Sequence, residues 1–311
     1  MPDVDTKVPH VGIVVLNWNG YDDTKSCLKS LSMVEYPNFD IVVVDNNSTD
    51  RSVDKLRSEF PGQTVIENSS NIGFAAGCNV GISHFQKKNS DYVLLLNNDA
   101  TVDKKSLGRL VSTIERGHKV AAVSGVIYEK ETGEVWSAGH KLIPWMAKFR
   151  PETNIKSETV YETEFLTGAA LLLNLEAIKE LGKLDESFFF GFEDQEFSLR
   201  ARKEGWRLLV NPTAEIFHIG GSTSGEGSEF KFYHATRNRL LFAKRLPGLQ
   251  RVLFYSFFMI SRIGRLIQWR VLNPQYSDRA RGIVQGIYDH IRGSQLKKPG
   301  HFGLGPDKSK K

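Results

Sequence analysis

Over the first hundred residues, short apolar runs alternate with helical patterns. Residues 11–16, 41–44 and 92–96 are nearly unbroken runs of Val, Ile and Leu, the pattern of strands buried on both faces. The intervening residues 21–33, 49–60 and 74–87 are predicted as helices. Strands alternating with helices give a parallel sheet built from βαβ units. In such sheets ligands bind beyond the carboxyl ends of the strands, so the residues following each run are the ones to inspect. Past residue 113 the rhythm changes. Segments 120–128, 134–149 and 163–174 have the character of strands and turns in a mixed sheet. A helix is predicted over 194–204, then strands over 206–210 and 214–218. Residues 220–227 form a Gly/Ser-rich stretch, predicted as a mobile loop, and helical pattern resumes from about 228 to 292.

The 311 residues, 40% hydrophobic and 25% charged, allow one large α/β domain with an appendage. Two cysteines, Cys27 and Cys78, give no disulfide framework, so reducing conditions are expected. The N-terminal ten residues lack a basic segment followed by an apolar run, so no secretory signal is expected. The net charge of +5 is unevenly distributed. Residues 228–311 carry 17 Lys/Arg against 4 Asp/Glu, and the remainder carries 24 against 32. A basic end on an acidic body fits an anionic partner surface, lipid or nucleic acid, or a solvated tail. No nucleic-acid-binding motif is present, which disfavours that partner.

Within the basic region, the uncharged stretch 252–261 is too short to span a bilayer, which needs ~20 residues. On a helix, Arg251, Arg262 and Arg265 fall within an arc of roughly 60°, with Leu253, Phe257, Ile260 and Ile267 opposite. That distribution fits an interfacial helix on anionic lipid, or one packed on the domain or on a partner chain.

Three polar clusters follow the first three strands: Asn17-Trp18-Asn19-Gly20, Asp45-Asn46-Asn47-Ser48-Thr49-Asp50 and Asn97-Asn98-Asp99. Their convergence on one crevice marks Asn17, Asp45 and Asp99 as ligand-facing, whereas Ser48 and Asp50 fit helix capping. A divalent ion bridging two phosphates needs hard oxygen ligands, and Asp99 is the best candidate, with Asn97 beside it. His218, ending a strand, is a second candidate, since imidazole accepts Mn²⁺. Asn71-Ile72-Gly73-Phe74-Ala75-Ala76-Gly77-Cys78-Asn79 places small residues and two asparagines at a helix start. That arrangement suits phosphate, and equally suits close packing of the helix on the sheet. Phe188-Phe189-Phe190-Gly191-Phe192-Glu193-Asp194 sets two acids at a helix start after an aromatic run. Apolar surroundings raise a carboxyl's pKa toward the range of a general base, and the helix N-terminus opposes that. Trp136, Trp145 and Phe149 are candidates for an acceptor platform or for packing.

Taken in order, Val15-Leu16-Asn17-Trp18-Asn19-Gly20, Val44-Asp45-Asn46-Asn47-Ser48-Thr49-Asp50, the Asn71–Asn79 motif, Leu95-Leu96-Asn97-Asn98-Asp99-Ala100, Gly191-Phe192-Glu193-Asp194-Gln195-Glu196-Phe197-Ser198-Leu199-Arg200 and Tyr233-His234-Ala235-Thr236-Arg237-Asn238 resemble the family 2 glycosyltransferases. The closest likeness is to the rhamnosyltransferase and galactofuranosyltransferase-like branch, over roughly residues 11–243. The resemblance implies an α/β GT-A fold, Rossmann-like with a mostly parallel central sheet, and a helical C-terminal appendage. It implies a catalytic domain over 1–227, with a nucleotide-sugar half to about 113 and an acceptor half from 114, followed by a basic helical region over 228–311. It implies a nucleotide diphosphate sugar donor, first dTDP-rhamnose and next a UDP-hexose, and a glycan or lipid-linked saccharide acceptor. Mn²⁺ or Mg²⁺ is the implied cofactor, held by Asp99, His218 and Asn97. Asp194 is the implied general base with Glu193 beside it. Asn17, Asp45, Asn71, Gly73, Asn79, Asn98 and Arg237 are the implied donor contacts. Such an enzyme is expected at the cytoplasmic face of the cell membrane, with oligomerisation open. A nucleotidyltransferase would need a basic glycine-rich phosphate loop near the N-terminus, which Asn17–Gly20 does not supply. A non-catalytic nucleotide-sugar-binding module at the membrane is the other alternative, and intact Asp99 and Asp194 weigh against it.

Overall fold

The computed structural model describes residues 8–219, 228–271, 277–293 and 302. The first half contains the three predicted strands and three predicted helices, with β3, β5 and α4 in addition: β1 (Val11–Asn17), α1 (Tyr21–Leu31), β2 (Phe39–Asp45), α2 (Ser52–Glu59), β3 (Thr64–Glu67), α3 (Phe74–Lys87), β4 (Tyr92–Asn97), β5 (Ala100–Val102) and α4 (Ser106–Arg116). There follow β6 (Val120–Glu129), β7 (Val135–Ser137), β8 (His140–Ile143), β9 (Lys148–Pro151), β10 (Tyr161–Glu162), β11 (Ala170–Asn174), α5 (Leu175–Leu181), α6 (Glu193–Lys203) and β12 (Arg207–His218). Three helices close the described chain: α7 (Glu229–Ala243), α8 (Gly248–Val271) and α9 (Ser277–Arg292).

The main sheet has the order β10-β12-β6-β11-β4-β1-β2-β3, with β5 on β12 and β7 on β6. The β4-β1-β2-β3 half is parallel throughout. β11 enters antiparallel between β4 and β6, and β12 runs parallel to β6. Helices cover both faces. Cys27, Leu28 and Leu31 of α1, Leu56 of α2 and Leu107, Leu110 and Ile114 of α4 fill one side. Ala75, Cys78, Ile82 and Phe85 of α3, with Ile178 of α5 and Phe197 of α6, fill the other. Burying the Leu, Ile and Phe side chains among these stabilises the fold by about 1.5–3 kcal/mol each. Both cysteines are free and buried, and burial pushes their thiols up, so they behave as core residues rather than nucleophiles.

The structure departs from the pattern-based expectation in physically instructive ways. The strands predicted over 206–210 and 214–218 are one strand, β12, bent by an irregularity between Asn211 and Glu215. Pro212 stands there, and proline cannot donate to a sheet ladder. The strand expected over 163–174 shortens to β11, while 134–149 resolves into β7, β8 and a 3₁₀ turn at Pro144–Met146. Residues 220–227, predicted as a mobile loop, lie outside the described residues. No helix among the described residues is long and apolar enough to cross a membrane.

The glycines of α3 serve close packing. A Cβ on Gly77 would meet the Leu16 side chain at 2.5 Å, and one on Gly81 would meet Val14 at 2.4 Å, so the helix lies directly on β1. Gly73 is needed for a different reason. It has φ +93°, and a Cβ there would stand 2.6 Å from the backbone carbonyl oxygen of Phe189. Gly73→Ala is therefore expected to lower stability by roughly 2–4 kcal/mol, combining backbone strain with a main-chain clash. Urea denaturation checks this, and an unchanged midpoint would refute the strain.

Candidate active site

The carboxyl ends of β1, β2 and β4 are tied together by a buried polar network. Asn17 is fully buried and its amide donates to Asp45 Oδ1 at 2.7 Å and to Ser48 Oγ at 3.1 Å. Asn17 Oδ1 accepts from Thr24 Oγ1, and the Asn98 amide donates to the same hydroxyl at 3.1 Å. Asp45 also accepts from the Ser48 hydroxyl and backbone N–H. Asn17, Asp45 and Asn98 thus meet as the sequence pattern placed them. Their side chains lock the strand ends and shape the crevice floor.

The start of α3 is differently arranged from the expectation of an open phosphate site. The Phe74 N–H donates to the Phe189 carbonyl at 2.8 Å, and Asn71 Oδ1 accepts from the Gly73 N–H. Asn79 lies one turn further on. Its amide donates to Leu184 O and Glu186 Oε1 and accepts from the Leu184 N–H. Every polar atom of that side chain is thereby engaged within the protein, so Asn79 braces the 184–186 segment instead of presenting its amide to a donor molecule. Glycines and asparagines at a helix start suit anion binding and loop docking alike, and here loop docking holds.

Asn97, Asp99 and His218 converge although 119 positions separate the last two. The three-residue strand β5 pairs antiparallel with the end of β12, setting His218 opposite Ala100. His218 Nε2 lies 2.9 Å from Asp99 Oδ1 and 3.3 Å from Asn97 Nδ2. All three side chains are buried or nearly so. Asn97 Oδ1 and His218 Nδ1 have no hydrogen-bond partner among the described residues. A carboxylate, an imidazole and an inward-facing amide oxygen fit a divalent cation whose remaining ligands come from a diphosphate. No cluster of three or more His, Cys, Asp or Glu side chains occurs among the described residues, so an ion here would depend on Asn97 or on the substrate. Trp136 on β7, 39% exposed, lies against His218 with ring centroids 5.1 Å apart.

Glu193 and Asp194 open α6, after Phe192 in a left-handed conformation at φ 80°. Both acids are buried. Asp194 Oδ2 accepts from the Gly168 N–H and Oδ1 from the Gln195 N–H, each at 2.8 Å. Burial raises the Asp194 carboxyl to about 6 against the opposing pull of these N–H donors. Burial, and secondarily the Asp194 charge, raises Glu193 well above the usual carboxylate range. Glu193 Oε2 has no partner among the described residues. Burial thus pushes both carboxyls upward, and ionising one makes ionising its neighbour harder. The Ala169 carbonyl accepts from the Asn97 N–H, so Gly168 and Asp194 stand beside the Asn97–Asp99–His218 group. Glu196, two residues on, is engaged by Arg200 and Arg245 and serves structure.

From the C-terminal side, α7 braces this loop. Arg237 donates to the Ser187 carbonyl at 3.1 Å, and the Asn238 amide to the carbonyls of Phe190 and Gly191. The Arg237 guanidinium is half-buried, and burial lowers its pKa.

The sequence matches the model of glycosyl transferase family 2 over residues 12–182, more than half of the chain. The chain belongs to this family. The glycosyltransferase is 25% identical over 305 residues to the low-salt glycan biosynthesis hexosyltransferase Agl10 of Haloferax volcanii, covering 93% of this chain and 92% of that protein. It is 22% identical over 239 residues to the N-acetylglucosaminyl-diphospho-decaprenol L-rhamnosyltransferase of Mycobacterium tuberculosis, covering 68% of this chain and 77% of that protein. Among solved structures, the mannosyltransferase PcManGT from Pyrobaculum calidifontis, crystallised with GDP-Man and Mn²⁺, superposes with a TM-score of 0.57 at 16% identity. That match covers 94% of this chain and 77% of that structure. The glycosyltransferase therefore has the GT-A fold, with a mixed, mostly parallel central sheet and a helical C-terminal region.

Two site residues escaped the sequence pattern. Thr24 joins Asn17 to Asn98, and a threonine on the first turn of a helix carries no distinguishing signal. Gly168 holds Asp194 by its N–H, and the small-residue run Gly168-Ala169-Ala170 before a strand was the available clue. Of the three candidate platform aromatics, Phe149 packs among Phe165, Phe192 and Phe242, and Trp145 stands edge-on to Phe257. Only Trp136 lies beside the polar group of the site.

Proposed function

We propose that this glycosyltransferase is an inverting, divalent-metal-dependent enzyme. It transfers a hexose, first L-rhamnose from dTDP-rhamnose, to a hydroxyl of a glycan or lipid-linked saccharide in cell-surface polysaccharide synthesis. The observation that carries this reading is the buried Asp194, with its carboxyl raised to about 6, beside the Asn97–Asp99–His218 group. In this reading Asn17, Asp45 and Asn98 form the floor under the nucleoside, and Asn71 and Gly73 border the donor. Arg237 approaches the diphosphate. Asp99, His218 and Asn97 would hold Mn²⁺ or Mg²⁺, and such an ion would supply charge neutralisation for the diphosphate. Asp194 takes the proton of the acceptor hydroxyl as that oxygen attacks the anomeric carbon, and a single in-line displacement inverts the centre. Glu193 stands beside it, and burial of the two favours a single charge on the pair. Trp136 offers its face to a sugar ring.

Support for the donor and acceptor comes from the relatives' names: a hexosyltransferase in one case, and a rhamnosyltransferase acting on a diphospho-decaprenol saccharide in the other. A lipid-linked acceptor would place the enzyme at the cytoplasmic face of the membrane. We place the boundary of the catalytic domain at 227, with α7 bracing the catalytic loop from the following helical region. Binding of a nucleotide-sugar panel with and without Mn²⁺ tests the proposal. Metal-enhanced binding of dTDP-rhamnose over UDP-galactofuranose, UDP-galactose and GDP-mannose is expected. Metal-enhanced binding of a UDP-hexose alone would replace rhamnosyl by hexosyl transfer, and no donor binding by folded protein would overturn the enzyme reading.

A further inference from the structure

Three arginines come together on α7 and α8 without an acidic partner among the described residues. The two helices run antiparallel. Phe232 stands edge-on to Trp269 at one end, and Leu240, Phe242, Phe254 and Phe258 share a cluster toward the other. Arg237 and Asn238 face the catalytic loop, while Arg239 lies ~100° further round α7 than Asn238. Arg262 lies over the Phe258 ring at 5.2 Å and Arg265 over the Trp269 ring at 5.7 Å. The Nε atoms of Arg239 and Arg262 are buried without a hydrogen-bond partner among the described residues. Burial, and then the charges of Arg239 and Arg265, lowers Arg262 to about 10, and burial and Arg265 lower Arg239.

The sequence accounts for this imbalance. Between Glu229 and Asp278 there is no acidic residue and there are nine Lys/Arg. The nearby acids are engaged elsewhere: Asp185 and Glu196 with Arg245, and Asp289 with Tyr233 and Gln285. Arg239 and Arg262 are partly buried with the exposed Arg265 beside them; such mutually repelling guanidiniums are costly unless an anion joins them, and phosphate matches their fork of donors.

The outward side of α8 supplies the second observation. Leu249, Val252, Met259, Ile260, Ile263 and Ile267 are between 50% and 75% exposed on one continuous face. The sequence placed the arginines of this helix opposite its apolar residues; the structure leaves Arg251 and Arg265 exposed with Arg262 partly buried, packs Phe257 on Trp145, and leaves the face from Leu249 to Ile267 uncovered. Such a helix lies in the membrane plane with its apolar face about 5–10 Å below the headgroups. The far side of a helix 10–12 Å across then sits at about the depth of the phosphates.

We infer that Arg239, Arg262 and Arg265 form a site for the phosphate of an anionic membrane lipid, with the outward face of α8 lying among the acyl chains of the same leaflet. This site deepens the lipid-linked acceptor reading and rests on it in one respect. It brings the loop braced by α7 to the surface where such an acceptor resides.

The test is cosedimentation of the full-length protein with phosphatidylcholine vesicles, with or without about one-third phosphatidylglycerol, alongside thermal shifts with free pyrophosphate. The wild type is expected to sediment with the anionic vesicles. Each basic side chain near an anionic surface is worth about fivefold, so replacing all three arginines by Gln should lower partitioning about a hundredfold. Ile260→Asp with Ile263→Asp should abolish it with the arginines intact. If the triple variant fails to fold, the exposed Arg265→Gln alone should lose about fivefold. Partitioning of folded arginine variants equal to the wild type would overturn the site. So would stabilisation by free pyrophosphate with no recruitment to vesicles. Nucleotide-sugar binding, measured on the same variants, is expected to be unchanged. Its loss in the wild type itself would count against the donor reading and leave the lipid site standing.

Discussion

Replacing Asp194 by Asn is expected to lower kcat by about 10²- to 10⁴-fold, the usual contribution of a positioned general base, with nucleotide-sugar affinity within about twofold of the wild type. The amide is nearly isosteric but cannot take a proton from an acceptor hydroxyl. The substitution also has a local consequence. Both carboxylate oxygens accept backbone N–H groups, from Gly168 and Gln195. An amide can satisfy only one of these, so one N–H loses its acceptor, at about 1–3 kcal/mol. Opposing that, the variant removes a buried charge beside Glu193. Single-turnover transfer, with donor binding by calorimetry, separates chemistry from binding. Wild-type turnover by the folded variant would remove Asp194 from the mechanism.

The same carboxyl makes a pH prediction of definite sign. Activity requires the ionised form, so kcat/KM of the wild type should fall as pH drops through about 6. Stability should move the other way. Asp194 is raised in the folded state above its ordinary value of 3.8, so the native protein holds this proton more tightly than the unfolded chain. That contribution stabilises the fold as pH falls from above about 6 toward 4, and is lost as pH rises. Asp194→Asn should flatten this part of the stability profile. An activity profile without a limb near 6 would place the base elsewhere.

The parallel half of the sheet was legible because its strands are apolar on both faces and its helices separate them cleanly, as with Val14 to Leu16 against Val42 to Val44. The strand-end clusters followed directly, since a parallel strand delivers its next residue to one edge. What could not be seen was pairing across long separations. His218 reaches Asp99 only because β5, three residues long, lies against β12, and so short a strand has no periodicity. Its position at a strand end marked that histidine as a candidate, and the family resemblance strengthened it, but neither showed how it reaches Asp99. Asn79 shows the converse limit. Its place at a helix start resembles an anion site, yet its amide is held by Leu184 and Glu186, 105 and 107 residues away. Helix α4 went unpredicted, although Leu107, Leu110, Val111 and Ile114 lie on one of its faces. The orientation of α8 was not legible, because an arc of arginines opposite an apolar stripe fits either side turned inward.

Asp99→Ala is expected to erase the metal dependence of donor binding. In the wild type, Mn²⁺ should tighten nucleotide-sugar binding at least about tenfold, since a carboxylate, an imidazole and a diphosphate would share in holding an ion that none would hold well alone. In the variant, the affinity with Mn²⁺ should fall to the metal-free value. His218→Ala should give the same result if His218 Nε2, 2.9 Å from Asp99 Oδ1, shares the ion. The double variant should then be no worse than either single one, because residues serving one ion act as a unit. A purely structural role predicts otherwise. Loss of the buried Asp99–His218 contact would then lower thermal stability and weaken donor binding equally with and without metal. Asp99→Asn separates the cases further, since it keeps the shape and an acceptor oxygen for His218 while weakening the hold on a cation. If Asp99→Asn restores stability without restoring the response to Mn²⁺, the carboxylate serves as a ligand. If metal titrations of wild type and Asp99→Ala coincide, neither Asp99 nor His218 belongs to a metal site.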